Sequence, residues 1–126
     1  MNRTLLSLIV VTALLSSCGK GWRMDYGKPA AQFVEADVDR KAGEHVGEKI
    51  TVKGTVAKVE IDESGDSWIY LASGARCNLG KFKAMAESAE VGTTVYVDGF
   101  LKKCAPGDVL IEPAMLRDPT APFSAE

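Results

Sequence analysis

Residues 49–61 read KITVKGTVAKVEI, and this segment sets the architecture of the chain. Ile50 and Val52 alternate with polar residues, which is the two-residue period of a β-strand that buries one face. Val59 has the opposite parity, so we predict a bulge at Gly54 or just after it, where the strand changes face. A bent strand that serves two parts of one sheet is typical of a small closed barrel.

Four more strands and one helix are predicted after this segment. Turns at 62–66 and 73–74 separate short runs in which apolar and polar residues alternate. A stretch with apolar residues at helical spacing follows the third strand, and Val91-Gly92 ends it. The predicted strands cover 68–71, 75–79, 94–101 and 108–111, the last resuming at 115–116, with a loop at 102–107 and the helix at 81–89.

The residues before the first strand have a different period. Pro29 suits the first turn of a helix, and apolar residues then recur three and four positions apart. Charged residues cover the other faces, and Gly43 or Gly47 can end the helix. We therefore predict an N-terminal helix, and its apolar stripe consists of Ala31, Val34, Val38 and Ala42.

The predicted order of elements is helix, three strands, helix and two strands. An OB-fold, which is a five-stranded Greek-key barrel, follows this order. We therefore predict a mainly β protein: a five-stranded OB-fold Greek-key barrel with an N-terminal helix and a short helix between strands 3 and 4. The alternative is a small open α+β sheet, which the bent first strand disfavours.

Three segments carry a family pattern. The first strand has K-x-x-V-x-G-x-V at 49–56, the third has apolar-x-Cys-x-apolar at 75–79, and the fourth has G-x-x-V-x-V-x-G at 92–99. In these motifs the chain resembles the tRNA-anticodon-binding-like OB-fold family, which includes many small bacterial lipoproteins and exported proteins. The resemblance covers about residues 38–116 and implies the OB barrel. Many members carry a late cysteine on the fifth strand where this chain has Pro113-Ala114, and the family name does not establish tRNA binding.

The first eighteen residues have the order of a bacterial lipoprotein signal. Arg3 precedes an apolar run at 5–15, which is too short to span a bilayer, since a spanning helix takes about 20 apolar residues. Ser16 and Ser17 then lead to Cys18, which resembles a lipobox. The resemblance implies that the Cys18 thiol receives diacylglycerol and that the chain is cut before it. The alternative is an ordinary secretory signal that contains a cysteine.

The remaining chain is long enough for one domain with a core and too short for two. The mildly acidic balance of the full chain, a net charge of −2, gives no electrostatic reason to bind nucleic acid or anionic lipid. Gly19 after the lipobox implies an exported protein in the outer membrane, facing the periplasm, if the cell is Gram-negative. The predicted divisions are a signal peptide at 1–17, a tether at 18–27, the OB-fold domain with its helix at 28–116 and a flexible tail at 117–126.

Two cysteines remain once Cys18 carries a lipid. An even number of cysteines in an exported chain favours a disulfide, so we predict a bond between Cys77 and Cys104. The alternative is that both are free thiols that pack as small apolar side chains.

The sequence offers little for catalysis or metal binding. His45 is the single histidine, and no G-x-S-x-G motif accompanies it, so we expect no Ser-His-Asp triad. One histidine and two separated cysteines do not have the spacing of a zinc site. Asp62, Glu63 and Asp66 fit no EF-hand pattern, and turn chemistry explains them. We therefore predict no catalytic residue, no metal and no cofactor.

The outward face of the second and third strands is the candidate binding site. Because Ile69 must point inward, Trp68 and Tyr70 point outward, and Arg76 and Asn78 take the same face of the next strand. OB-folds bind oligonucleotides and oligosaccharides on this face. Aromatic rings beside a guanidinium and an amide can stack on a sugar or a base, or anchor a protein. The alternative is that the first helix or the C-terminal tail covers the rings.

The function predicted from the sequence is a lipid-anchored binding module without catalytic activity. Its expected partners are the membrane, through the Cys18 lipid, and a protein or glycan of the cell envelope. Single-stranded nucleic acid is a second candidate ligand, which the acidic first loop and the exported location disfavour. An envelope enzyme is the third class, and the sequence lacks an evident acid–base pair for it.

Overall fold

The computed structural model describes residues 28–126 of the chain. The predicted signal peptide at 1–17, the lipidation site Cys18 and the tether at 18–27 lie outside the described residues. The described part contains six strands: β1 (Ala31–Val34), β2 (Lys49–Ile61), β3 (Ser67–Leu71), β4 (Arg76–Gly80), β5 (Thr94–Ala105) and β6 (Asp108–Leu116). Its helical segments are α1 (Val38–Lys41), α2 (Lys83–Glu87) and 3-10 turns at Glu35–Asp37 and Gly43–His45.

Five of these strands close into a barrel. Strands β2, β3, β4, β6 and β5 are hydrogen-bonded in that order, and β5 pairs back onto β2. Strands β4 and β6 run parallel, whereas the other neighbours in the barrel are antiparallel. The prediction of a mainly β protein with a five-stranded barrel is confirmed, and α2 lies between β4 and β5 as expected.

Strand β2 bends where the sequence predicted a change of face. Its first half, 49–55, pairs with β5, and its second half, 56–61, pairs with β3. The register shifts between Val56 and Lys58, so the bulge comes just after Gly54. Strand β2 therefore belongs to two parts of the barrel wall, and this sharing helps five strands to close the barrel.

The predicted N-terminal helix is wrong for its first part. Residues 31–34 form β1, which runs parallel to the first half of β2, and the α-helix covers only Val38–Lys41. Ala31 and Phe33 are buried while Gln32 is half-buried, which is the period of a strand. Because β3 pairs only with the second half of β2, the edge of the first half is available to β1. This pairing outweighs the narrow apolar stripe that suggested a helix.

Glu35, directly after β1, ties this added strand to the barrel. Its carboxylate accepts hydrogen bonds from the backbone N–H groups of Thr55 and Ser73. A Cβ atom at Gly54 would lie 2.6 Å from Oε2 of Glu35. The glycine in β2 therefore makes room for the carboxylate that fastens the end of β1.

The last two strands are longer than predicted. Strand β5 continues to Ala105, so the predicted loop at 102–107 shrinks to a tight turn of two residues, and β6 runs on without a break. Two register shifts between Gly99 and Lys103 interrupt the alternation of buried and exposed residues. Lys102 and Lys103 are consequently both exposed, a pattern that is typical of loops rather than strands.

Large apolar side chains from all five barrel strands fill the interior. The two short helices add to this core, since α1 buries Val38 and α2 buries Met85 and Ala86. The largest fully buried side chains are Phe33, Ile50, Ile69, Leu71, Leu79, Leu101, Ile111 and Met115.

The C-terminal residues 117–126, which the sequence predicted as a flexible tail, contact the outside of the barrel. The backbone N–H of Arg117 donates to the carbonyl of Tyr96 on β5 at 2.7 Å. The ring of Phe123 then packs edge-on against Tyr96, with 5.3 Å between ring centroids. Backbone N–H groups near the end of the tail donate to Gln32 on β1. Since β2 lies between β5 and β1, the tail crosses its outer surface.

Candidate functional site

The candidate site is the outer surface of β3, β4 and β6, here called the aromatic face and centred on Trp68 and Tyr70. Trp68 lies opposite Asn78 and Tyr70 lies opposite Arg76 in the β3–β4 ladder. Ile69, between the two aromatic residues, is fully buried in the barrel. The alternation of the two strands therefore brings all four predicted site residues to one surface.

The Trp68 and Tyr70 rings lie side by side as a platform. Their centroids are 6.3 Å apart, and their planes are inclined by 27°. Both residues are half-buried, so part of each remains open to solvent. Acidic side chains of the β2–β3 hairpin hold the polar atom of each ring. The rings consequently offer apolar π faces to a ligand rather than free polar groups.

Asp62 fixes the indole ring. Its Oδ2 accepts a hydrogen bond from Nε1 of Trp68 at 2.8 Å, while its Oδ1 accepts from the N–H groups of Ser64 and Asp66 at 3.0 and 2.9 Å. These hydrogen bonds, above all the one from Trp68, lower the pKa of Asp62 to about 2. The acidic turn is therefore a hydrogen-bonded turn that positions Trp68.

Glu60 and Lys58 hold the tyrosine ring. The Tyr70 hydroxyl donates to Oε2 of Glu60 at 3.1 Å, and Nζ of Lys58 lies 5.2 Å from the ring centroid. Burial, and then the hydrogen bond to Glu60, raise the pKa of Tyr70. Tyr70 is thus a neutral ring with a cation over one face, which limits its freedom before any ligand arrives.

Arg76 extends the platform toward β6. Its Nη2 lies 2.8 Å from Oδ1 of Asp108, and Oδ2 of Asp108 lies 2.5 Å from Nζ of Lys103. The hydrogen bond with Lys103 and the nearby positive charges hold the pKa of Asp108 below its ordinary value. A guanidinium has five N–H donors, and the contact with Asp108 uses one of them. Arg76 can therefore donate to a ligand while it stays ion-paired.

Asn78 has a different role because its amide is buried and already hydrogen-bonded. Nδ2 donates to Oε2 of Glu112 at 2.7 Å and to Oδ2 of Asp66 at 3.4 Å, and Oδ1 accepts from the N–H of Gly80 at 2.8 Å. Hydrogen bonds from Lys102 and then from Asn78 lower the pKa of Glu112. Asn78 therefore supports the aromatic face from beneath rather than offering a free group to a ligand.

Asp108 and Glu112 belong to the aromatic face although the sequence analysis did not include them. They reach it because β6 lies beside β4 in parallel, with Arg76 opposite Leu110. The signal in the sequence was the alternation of Asp108, Leu110 and Glu112 with buried residues. Periodicity shows that these residues point outward, but it does not show which strand lies beside theirs. The pairing of β6 with β4 could therefore not be inferred from the sequence.

The charges around the platform balance. Five cationic and five acidic side chains surround it: Lys58, Arg76, Lys81, Lys102 and Lys103, with Glu60, Asp62, Asp66, Asp108 and Glu112. A balanced face does not create the positive field that attracts a nucleic acid backbone. It suits a ligand that is recognised by contact area and hydrogen bonds.

The first helix and the C-terminal tail, which the sequence offered as possible covers of the two rings, make their contacts elsewhere on the barrel. Within residues 28–126, the hydrogen bonds and ring contacts of Trp68 and Tyr70 come from the β2–β3 hairpin. The tail makes its contacts at Tyr96 on β5 and at Gln32 on β1. Helix α1 packs against β5 and β6. Helix α1 and the tail therefore contact parts of the barrel other than Trp68 and Tyr70.

The predicted disulfide is wrong, because Cys77 and Cys104 are both free thiols. Their strands, β4 and β5, are separated in the sheet by β6. Two strand spacings amount to about 9–10 Å, which exceeds the Cα separation that a disulfide bridges. Burial in the core raises the pKa of Cys77 to about 12, and desolvation raises the pKa of Cys104, whose Sγ donates to the carbonyl of Val38 at 3.3 Å.

His45 lies in the turn before β2. Its ring centroid is 5.8 Å from that of Phe33, and carboxylate oxygens of Glu44 and Glu48 lie 3.6 and 3.5 Å from its nitrogens. Across residues 28–126, no three or more His, Cys, Asp or Glu side chains form a group suited to a metal ion. In the same part of the chain, no helix has the length and apolar character needed to cross a membrane.

No protein-family model matches the chain, and no curated protein matches it significantly. The resemblance to the tRNA-anticodon-binding-like family therefore stays a prediction from the residue pattern.

Proposed function

We propose that this protein is a lipid-anchored binding module of the bacterial cell envelope, and that the aromatic face binds a protein or glycan partner. The observation that carries the proposal is the platform of Trp68 and Tyr70. It is held in place by hydrogen bonds to Asp62 and Glu60 and is left half-exposed.

The platform is preorganised for binding. Rings that are already fixed lose little conformational freedom when a partner arrives, so more of the contact energy appears as affinity. Tryptophan, tyrosine and arginine are also the residues that dominate the energetics of protein interfaces. Trp68, Tyr70 and Arg76 form such a cluster, and their charged neighbours provide a polar rim.

The strand order supports the finer assignment to the OB-fold. Five strands close in the order β2, β3, β4, β6 and β5, and the helix α2 lies between the third and fourth barrel strands. In OB-folds the second and third barrel strands, here β3 and β4, carry the ligand-binding face. The aromatic face occupies this position.

The charge states of the face suit the positioning of neighbouring groups rather than general-acid catalysis. Asp62, Asp108 and Glu112 all have lowered pKa values, so they are ionised at neutral pH. A carboxyl group that serves as a general acid needs a raised pKa instead. These three side chains are suited to holding neighbouring groups in position.

The lipid anchor rests on the lipobox at Cys18. Replacing Cys18 by Ser removes the thiol that would be acylated. We expect the variant to remain uncleaved and to lose its lipid, as read by metabolic labelling with a radioactive fatty acid. A Cys18→Ser chain that is still cut after Ser17 and stays in the membrane fraction would contradict the anchor.

Photo-crosslinking in living cells tests the binding face. A photoreactive phenylalanine analogue at Tyr70 places the reactive group on the platform, and the same analogue at Val91 serves as a control. Val91 is 66% exposed in the turn before β5. We expect discrete adducts from position 70 and none from position 91.

The outcome is decisive when export and folding of both variants are verified first. Adducts from position 70 that disappear after Trp68→Ala support the proposal. An exported and folded chain that gives no adduct at position 70, or the same adducts at position 91, refutes it.

A further inference from the structure

The outer surface of β1, β2 and β5 is covered by the chain itself. We call it the covered face and define it by Gln32, Thr51 and Tyr96. Thr51 has the outward parity of β2, yet it is fully buried, and its hydroxyl donates to Asp98 on β5. The tail at 117–126 crosses this surface between its contacts on β5 and on β1.

The tail reaches the covered face through a tight reversal after β6. Oδ1 of Asp118 accepts hydrogen bonds from the N–H and the hydroxyl of Thr120, at 2.9 and 2.7 Å. The N–H of Ala121 donates to the carbonyl of Asp118 at 3.1 Å. The guanidinium of Arg117 donates to the carbonyl of Pro122. The residues after Pro122 are thereby aimed back across the barrel.

The far end of the tail binds through backbone N–H groups. The N–H groups of Ser124 and Glu126 donate to Oε1 and to the main-chain carbonyl of Gln32, each at 2.8 Å. Both donors therefore meet one residue of β1, one through its side chain and the other through its main chain. Phe123, just before them, is the single aromatic anchor and packs on Tyr96. Nζ of Lys41 adds a contact of 3.3 Å to the carbonyl oxygen of Glu126.

The tail is held by few groups. Apart from the half-buried Phe123, its last residues, 124–126, are exposed. Recognition uses backbone N–H groups and one aromatic ring, both of which another peptide can supply. Peptides that bind to sheet edges likewise rely on backbone hydrogen bonds, with a side-chain pocket for specificity.

We infer that the covered face is a peptide-binding groove that the tail occupies within its own chain. Its partner is a segment of another protein that has an aromatic residue in the place of Phe123. The residue directly after that aromatic residue donates its N–H to Gln32. Such a segment displaces the tail by placing its ring on Tyr96. This inference is independent of the partner of the aromatic face.

Binding of the tail sequence as a separate peptide tests the inference. A fluorescently labelled peptide of residues 119–126 is titrated with the purified full chain and with its Phe123→Ala variant, and anisotropy is recorded. The variant has lost the anchor of its own tail, so competition within the chain is weaker. We expect the variant to bind the peptide at least 10-fold more tightly than the unmodified chain does.

Two matched controls separate a specific groove from adhesion. A peptide in which Phe123 is replaced by Ala should bind to the Phe123→Ala chain at least 10-fold more weakly than the unmodified peptide does. The unmodified peptide should also bind at least 10-fold more weakly to a chain that carries both Tyr96→Ala and Phe123→Ala. The inference is overturned if the Phe123→Ala chain unfolds cooperatively but binds no peptide at millimolar concentration. It is also overturned if Tyr96→Ala leaves the binding of the peptide unchanged. If Phe123→Ala does not fold, Ser124→Pro replaces it, because proline removes the N–H donor at an exposed position.

Discussion

The aromatic face and the covered face present similar chemistry with different surroundings. Each has a tyrosine with a lysine over its ring: Lys58 lies 5.2 Å from the Tyr70 ring centroid, and Lys53 lies 5.8 Å from that of Tyr96. On the covered face the tyrosine packs against Phe123 from the chain's own tail. On the aromatic face Tyr70 lies beside Trp68 of the same strand. The fold thus places its own tail on one aromatic surface, whereas the contacts of the other come from its own hairpin.

The largest effect should come from a ring in the hydrophobic core, and its size gives a reference for the changes on the two faces. Phe33 is 1% exposed, so Phe33→Ala removes a fully buried aromatic side chain. We expect the free energy of unfolding in urea to fall by about 3–5 kcal/mol, the range for such deletions. A loss near zero would show that β1 does not belong to the cooperative core.

A smaller loss is expected on the covered face. Phe123→Ala removes a half-buried ring and its edge-on contact with Tyr96, which should cost roughly 1–2 kcal/mol. Because the two rings contact each other, the double variant with Tyr96→Ala should lose less than the sum of the single losses. Additive losses in urea unfolding would contradict the contact between tail and barrel.

Acid should disturb the aromatic face through Asp62. Its pKa in the folded chain is about 2, below the ordinary 3.8, so its contribution to stability is fully present above about pH 4. That contribution is lost as the pH falls toward 2, because protonation removes the negative charge that strengthens the hydrogen bond from the Trp68 indole. Trp68 fluorescence, recorded in a Trp22→Phe chain, should therefore change between pH 4 and pH 2. The Asp62→Asn variant serves as the control, and an identical transition in that variant would exclude Asp62 as the cause.

The alternation in β2, β3 and β4 was strong enough to predict the barrel and the outward position of Trp68 and Tyr70. Strand β3 buries one parity, and the buried apolar residues of β4 and of the first half of β2 alternate in the same way, so local period and tertiary placement agree. The bulge after Gly54 was also visible, because one extra residue in a strand reverses the parity of every residue that follows it.

Features that depend on a neighbour distant in sequence could not be predicted in this way. Strand β1 has four residues, and its conformation is set by pairing with β2 rather than by its own pattern. The separation of Cys77 from Cys104 depends on β6 lying between their strands. The contact of Phe123 with Tyr96 likewise becomes possible only after the barrel has formed.

The central claim is that the Trp68–Tyr70 platform is a binding surface and not internal packing, and the stability of Trp68→Ala tests it most directly. In this structure the indole is half-buried and packs beside a ring of its own strand. Urea unfolding of the purified Trp68→Ala chain should show a loss of no more than about 1–2 kcal/mol, as for the half-buried ring of Phe123. A loss of about 3 kcal/mol or more, equal to that of Phe33→Ala, would show that Trp68 serves the core and would contradict the binding role of the platform.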